Sequence, residues 1–176
     1  MARSTTRPSR PQRKSTGARR TGTIIRPFQP GDLDALYAIR GEADRLHARL
    51  LPGFFRVPRD SREPKLERDA TSEIFVAAGP DGVHGYVQVR IVDTPAHPAM
   101  TPARRAHVET LVVAEAQRRR GHGTRLMREA RRWAAGRGAT ELLLTVWSEN
   151  EDAAGFYRAL GYRPVAQVLR KPSSEV

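Results

Sequence analysis

Val113-Ala-Glu-Ala-Gln-Arg118-Arg-Arg-Gly121-His-Gly123-Thr124 joins an apolar run to a helix-period run through a basic, glycine-containing turn. The apolar run from Val108 to Val113 leads into it, and a helix-period run from Leu126 to Trp133 leads out. A strand, a basic glycine-containing turn and a helix start together make an anion site. The first N–H groups of a helix have no partner inside it, and its dipole favours negative charge there. Glycines 121 and 123 let backbone approach a phosphate without a Cβ in the way. Two familiar phosphate loops are excluded. A Walker loop needs a terminal Gly-Lys-Ser/Thr, which is missing, and a dinucleotide fingerprint needs a third glycine where Leu126 stands. On the turn alone, an anion site and a solvated basic helix entry stand side by side.

Outward from the turn, Leu126, Met127, Ala130, Trp133 and Ala134 form the inner stripe of a helix over about 124–136. Leu142 to Val146 is a continuous apolar strand, as expected when both faces are covered. Strand, helix and strand make a βαβ unit, so the two strands should run parallel. Upstream, 73–78, 83–92 and 104–113 read as an antiparallel meander. A first strand is expected at 23–26. A helix from Asp32, a plausible N-cap, should run to Leu50, and a shorter one is expected around 65–71. Ser148-x-x-Glu151 fits a capping box for a short last helix, with Asn150 as the alternative cap. Strand segments at 162–165 and 166–169 should close the chain, with 171–176 frayed. The fold class is α+β.

A chain of 176 residues suits one domain with a sizeable core. Cysteine is absent, which removes disulfides, thiolate catalysis and Cys-ligated metal; no metal is expected. No apolar run reaches the roughly 18 residues a membrane span needs. Of the net charge of +12, seven basic residues and no acidic one lie in residues 1–22, leaving 24 basic against 19 acidic residues beyond. With no large apolar residue between Met1 and Ile24, that tail reads as disordered. Its basic charge suits at most weak nucleic-acid contact. It lacks the apolar core of a signal peptide, so a cytoplasmic protein is expected.

The second decisive stretch is Asn150-Glu-Asp-Ala153-Ala-Gly-Phe156-Tyr157-Arg-Ala-Leu160-Gly161-Tyr162. It resembles the Asn-x-x-Ala-x-x-Phe-Tyr-x-x-x-Gly-Phe signature of the GNAT acetyltransferase superfamily, with Tyr at the final aromatic. Arg118-x-x-Gly121-x-Gly123 resembles the pyrophosphate motif of the same superfamily, and the two lie in the right order and spacing. The resemblance covers about residues 23–170, firmly from 104 onward. It implies a mostly antiparallel central sheet with a parallel, splayed strand pair at the cofactor site, flanked by helices.

The resemblance also implies acetyl-CoA as acyl donor and a primary amine as acceptor, joined by direct attack in a ternary complex. Its pyrophosphate is expected on the backbone of Arg119, Arg120, Gly121, His122, Gly123 and Thr124, with Arg118 adding charge. His122 itself reads as a solvent-facing loop residue. The pantetheine arm is expected along Leu111, Val112 and Val113, with Asn150 and Tyr157 beside it. Tyr157 matches the position that protonates or stabilises the leaving thiolate. The attacking amine must be neutral, so a proton acceptor is needed. Glu109 is the candidate base, on a strand face with His107 and Leu111; the bland reading is a carboxylate paired with an arginine. The acceptor side is expected in 40–72 and 93–105, with His47, Phe54, Phe55 and Arg56 as wall residues. Glu42, Asp44, Glu63, Glu67 and Asp69 are acidic groups able to attract a cationic amine. The competing class is a module that holds CoA without turnover, or a nucleic-acid accessory protein using its basic tail. Oligomeric state and acceptor identity are not encoded in any motif.

Overall fold

The computed structural model describes residues 22–60, 62, 66, 68–94, 98–99 and 101–171. The basic tail expected to be disordered, and most of the frayed end, lie outside these residues. Strand β1 (Ile24–Pro27) is followed by a 3-10 turn at Pro30–Asp32 and helix α1 (Leu33–Leu50). Then come β2 (Ser72–Gly79), β3 (Gly82–Asp93), β4 (Arg104–Val113), a 3-10 turn at Glu115–Gln117, α2 (His122–Ala135), β5 (Glu141–Leu144) and α3 (Glu151–Ala159). The strands form one sheet in the order β1-β2-β3-β4-β5. The first four are antiparallel neighbours, and β5 joins β4 in parallel, with α2 as the crossover.

Each face of the sheet has its own core. Val87, Val89, Ala106 and Val108 pack with Leu126, Met127, Ala130 and Trp133 of α2. Ile74, Val76, Tyr86 and Val112 pack with Leu36 and Ile39 of α1 on the other side. Phe156, Tyr157 and Leu160 of α3, with Tyr162 just past it, join the α2 side.

The ends of α1 and α3 depart from simple expectation in instructive ways. Asp32 precedes α1 but makes no side-chain cap. Its carboxylate is taken by a two-pronged pair with Arg26, both contacts at 2.7 Å, and by the Gln29 N–H at 2.8 Å. That pairing, the Arg26 hydrogen bond first, holds the carboxyl below its usual range. At α3, Asn150 wins over Ser148. Its Oδ1 accepts from the Ala153 N–H at 3.1 Å, while Ser148 Oγ turns to Glu149.

Two expected elements are not seen among the described residues; Lys65 and Glu67 of the helix expected around 65–71 lie outside them. Residues 68–71 are a turn rather than a helix, because the Asp69 carboxylate accepts from the Thr71 N–H and hydroxyl and stabilises the turn. Residues 162–171 pair with no strand. Pro164 removes one ladder donor there. Val165, Val168 and Leu169 are 84%, 96% and 89% exposed, so beyond Tyr162 this segment gains no burial from which a strand could be stabilised.

Candidate active site

β4 pairs with β3 as far as Val113 but with β5 only from Arg105 to Val108. Beyond Val108 and Leu144 the parallel pair separates, and Thr145–Trp147 leave the sheet. Residues 109–113 therefore present a backbone edge with no strand beside it. This edge runs directly into the turn at 114–121.

The turn is built for open N–H groups. Arg119 has φ +62° and Gly121 φ +80°, two left-handed residues around Arg120. Arg118 is anchored: its Nε donates to the Val113 carbonyl at 3.2 Å. The Arg125 N–H closes the first helical turn on Gly121 at 3.1 Å. Among the described residues, the backbone N–H groups of Arg119 to Thr124 donate to nothing. Gly121 needs its glycine for the left-handed backbone. Gly123 needs its glycine for packing, since a Cβ there would lie 3.1 Å from Phe156 Cζ. Phosphate approach was the reason expected for both glycines; the structure adds a backbone reason at Gly121 and a packing reason at Gly123.

His122 is corrected as well. It is the first residue of α2 and only 7% exposed, not a solvent-facing loop residue. Its ring lies 5.0 Å from that of His84 on β3, and its Nδ1 is buried with no partner among the described residues. Burial first, then His84, Arg125 and Arg120, push it toward the neutral form. His84 in turn bonds Asp81 at 2.7 Å and Thr23 at 3.2 Å.

Glu109 sits in a β-bulge. Gln88 faces Thr110 and Val89 faces Val108, so Glu109 has no register partner. The bulge changes the alternation of β4. Val108 and Leu111 both pack on the α2 side, while Val112 packs on the α1 side. Leu111 therefore does not share the face of His107, contrary to the simple period-two reading. Glu109 Oε1 accepts from Arg90 Nε at 2.8 Å, and Arg90 also bonds Asp69 at 2.7 Å. The expected arginine pairing is thus present; Oε2 makes no hydrogen bond to another described residue, and the side chain is 31% exposed.

Tyr157 is held edge-on by Phe156 at 5.1 Å and by Tyr162 at 5.7 Å between centroids. Its hydroxyl makes no hydrogen bond to another described residue, and burial, then Tyr162, pushes its pKa up to about 12. It is therefore a neutral donor throughout the ordinary pH range.

A cleft of about 1470 Å³ collects these groups. It is lined by the free edge of β4, the turn, the start of α2, residues 144–147, α3 and one side of α1. The residues expected to hold acetyl-CoA, with Tyr157 and Glu109, all line it except Arg120; of the expected acceptor wall His47 lines it, while Phe54, Phe55 and Arg56 line a neighbouring pocket. Sequence reading missed Trp147, which lines the same cleft, and Arg90, the partner of Glu109. Neither belongs to a motif; each arrives through the sheet register or the end of β5.

Residues 36–162 match the family model described as Acetyltransferase (GNAT) family. The aminoglycoside N(6')-acetyltransferase type 1 of Klebsiella aerogenes is 32% identical over 111 residues, covering 61% of this chain and 70% of that protein. The uncharacterized N-acetyltransferase YobR of Bacillus subtilis is 35% identical over 60 residues; the match spans 34% of this chain and only about a quarter (24%) of YobR. In fold, a mutant form of the BH1408 protein of Bacillus halodurans superposes with TM-score 0.78 at 22% identity, over 85% of this chain and 98% of that one. The aminoglycoside 6'-N-acetyltransferase AAC(6')-IG of Acinetobacter haemolyticus gives 0.61 at 19%, over 85% and 97%.

Proposed function

Because this chain belongs to the GNAT acetyltransferase family, a family of acetyl-transferring enzymes, we propose that it moves an acetyl group from acetyl-CoA to a primary amine by direct attack in a ternary complex. Residues 23–170 are the acting unit. The observation that carries this reading is the continuity of the free β4 edge with six N–H groups on the turn that have no partner among the described residues. An extended amide-bearing arm fits the first, and a diphosphate fits the second.

Bound acetyl-CoA supplies a thioester carbonyl for the amine to attack. Leu111, Val112 and Val113 hold its arm through backbone, and Arg119 to Thr124 hold the pyrophosphate. Arg118 and Arg120 add positive potential at the rim. Asn150 fixes the start of α3 and thereby the position of Tyr157. Tyr157 donates to the departing sulfur. Glu109 takes the amine proton through Oε2, directly or across a water, while Arg90 holds Oε1. His107 lines the same cleft and is the second choice of base.

The test pairs calorimetric titration of acetyl-CoA with an assay of free thiol over an acceptor panel of alkylamines, amino acids, aminoglycosides and peptide amines. Binding with turnover on one class supports the proposal. Binding with no turnover on any class would favour a module that holds CoA without transferring from it.

A further inference from the structure

One wall of the cleft carries a cluster that the transfer chemistry does not use. Phe54 and Phe55, just past α1, meet Trp147, just past β5, with centroids 4.9 Å apart in both cases. His47 of α1 stacks on Phe55 at 5.3 Å. His47 and Trp147 face the main cleft, and Phe54 and Phe55 face a side pocket of about 820 Å³, so the rings form the partition between two cavities. Phe54 is 54% exposed, unusual for a phenylalanine inside an aromatic cluster.

Three observations indicate what this partition is suited to hold. A cation already lies over it: the Arg170 guanidinium sits 5.8 Å from the Phe54 centroid. Asp44, one helical turn before His47, borders both cavities, and its Oδ2 is buried with no hydrogen-bond partner among the described residues. The other acidic candidates are committed or undescribed. Glu42 accepts from the Glu115 N–H, Asp69 is engaged by Arg90 and Thr71, and Glu63 and Glu67 lie outside the described residues. Burial pushes His47 toward neutrality, so at neutral pH it offers a ring and not a competing charge. Arg56 and Arg59 line only the side pocket, and Arg40 borders both.

Resting on the acetyl-transfer reading above, we propose that Asp44 and the aromatic partition of His47, Phe54, Phe55 and Trp147 bind a second, permanently protonated amine of the acceptor, making the substrate class a di- or polyamine. The reacting nitrogen cannot be the group read here. A site that stabilises its ammonium form would oppose the deprotonation that attack requires. Rings and a carboxylate reward a charge that stays, so they act on the distal nitrogen.

The test compares α,ω-diaminoalkanes of increasing length with monoamines of matched length, using Phe54→Leu and Asp44→Asn. The wild type is expected to favour diamines through KM. Phe54→Leu should raise diamine KM about three- to thirtyfold, the range of a cation–π contact. Asp44→Asn should raise it about ten- to a hundredfold, the range of a charged hydrogen bond. Monoamine KM, kcat and acetyl-CoA affinity should stay near wild type. Equal turnover of both series, or equal effects of the substitutions on both, overturns the subsite while leaving acetyl transfer standing. If no amine is turned over, the transfer reading fails, and calorimetric titration of the same diamines decides the subsite alone. Binding weakened by both substitutions supports it, and no binding to wild type overturns it.

Discussion

Tyr157 combines a ring fixed on two sides with a hydroxyl left open to the cleft. Replacing it by Phe keeps the packing and removes only the donor. Tyr157→Phe should lower kcat by roughly ten- to a thousandfold, the usual worth of one placed acid or charge-stabilising donor. Melting temperature and acetyl-CoA affinity should hold, and steady-state rates beside a melting curve check this. A hydroxyl bonded to backbone would have predicted the reverse pattern. His47 and His122 give a prediction in pH. Both are pushed below the usual histidine value, burial being the largest cause. As pH falls below about 6.5 the unfolded chain takes up protons that the folded protein resists, so stability falls with pH there. His122 faces His84, Arg120 and Arg125 with only Asp81 in opposition, which reinforces that direction. Melting curves between pH 7 and 5 should show the loss, and His122→Gln should reduce it; a flat profile would contradict the assignment. The residues of the two motifs, Arg118 to Thr124 and Asn150 to Tyr157, were legible because fixed backbone tasks demand particular residue types. The burial of His122 was not, since its partner His84 lies 38 positions away and only the fold joins them.

At the scale of elements, the two turn glycines separate a binding effect from a packing effect. Gly121→Asp places a negative charge at the open N–H groups, where a Cβ meets no atom within 4 Å. It should weaken acetyl-CoA strongly, with a stability cost of about 1–2 kcal/mol for the left-handed backbone. Gly123→Ala drives a Cβ toward Phe156. It should act chiefly by prying α3 from α2, costing about 1–3 kcal/mol of stability, as overpacking does. Titration and thermal melts of both variants test the contrast; equal losses of affinity at unchanged stability would refute it. The βαβ unit and the meander were readable from the order of apolar runs and turns, but coverage was not: β2 and β3 carry consecutive buried residues on both faces, whereas Leu142, Leu143 and Leu144 of β5, at the sheet edge, are only partly buried. The bulge at Glu109 was not readable. Val108-Glu109-Thr110 alternates as a regular strand does, and the extra residue shows only against the register of β3. The terminal strands were over-read from their valines and leucines, since apolar composition makes a strand only where a neighbour exists to cover it.

For the whole molecule, the apolar burial of the described residues lies in the sheet's two cores. Residues 1–22 contribute no large apolar side chain beyond Met1. Their deletion should leave melting temperature and acetyl-CoA affinity nearly unchanged, and any nucleic-acid binding should lose strength and salt dependence with them. A large loss of stability would show that the tail packs on the domain. In the proposed reading, backbone rather than side chains holds the acyl donor where β4 outruns β5. Amide hydrogen exchange with and without acetyl-CoA tests it most directly. Exchange should slow at Arg119 to Thr124 and along Leu111 to Val113 when acetyl-CoA binds. Saturating acetyl-CoA with no added protection in these two segments, or with protection confined elsewhere, would contradict it.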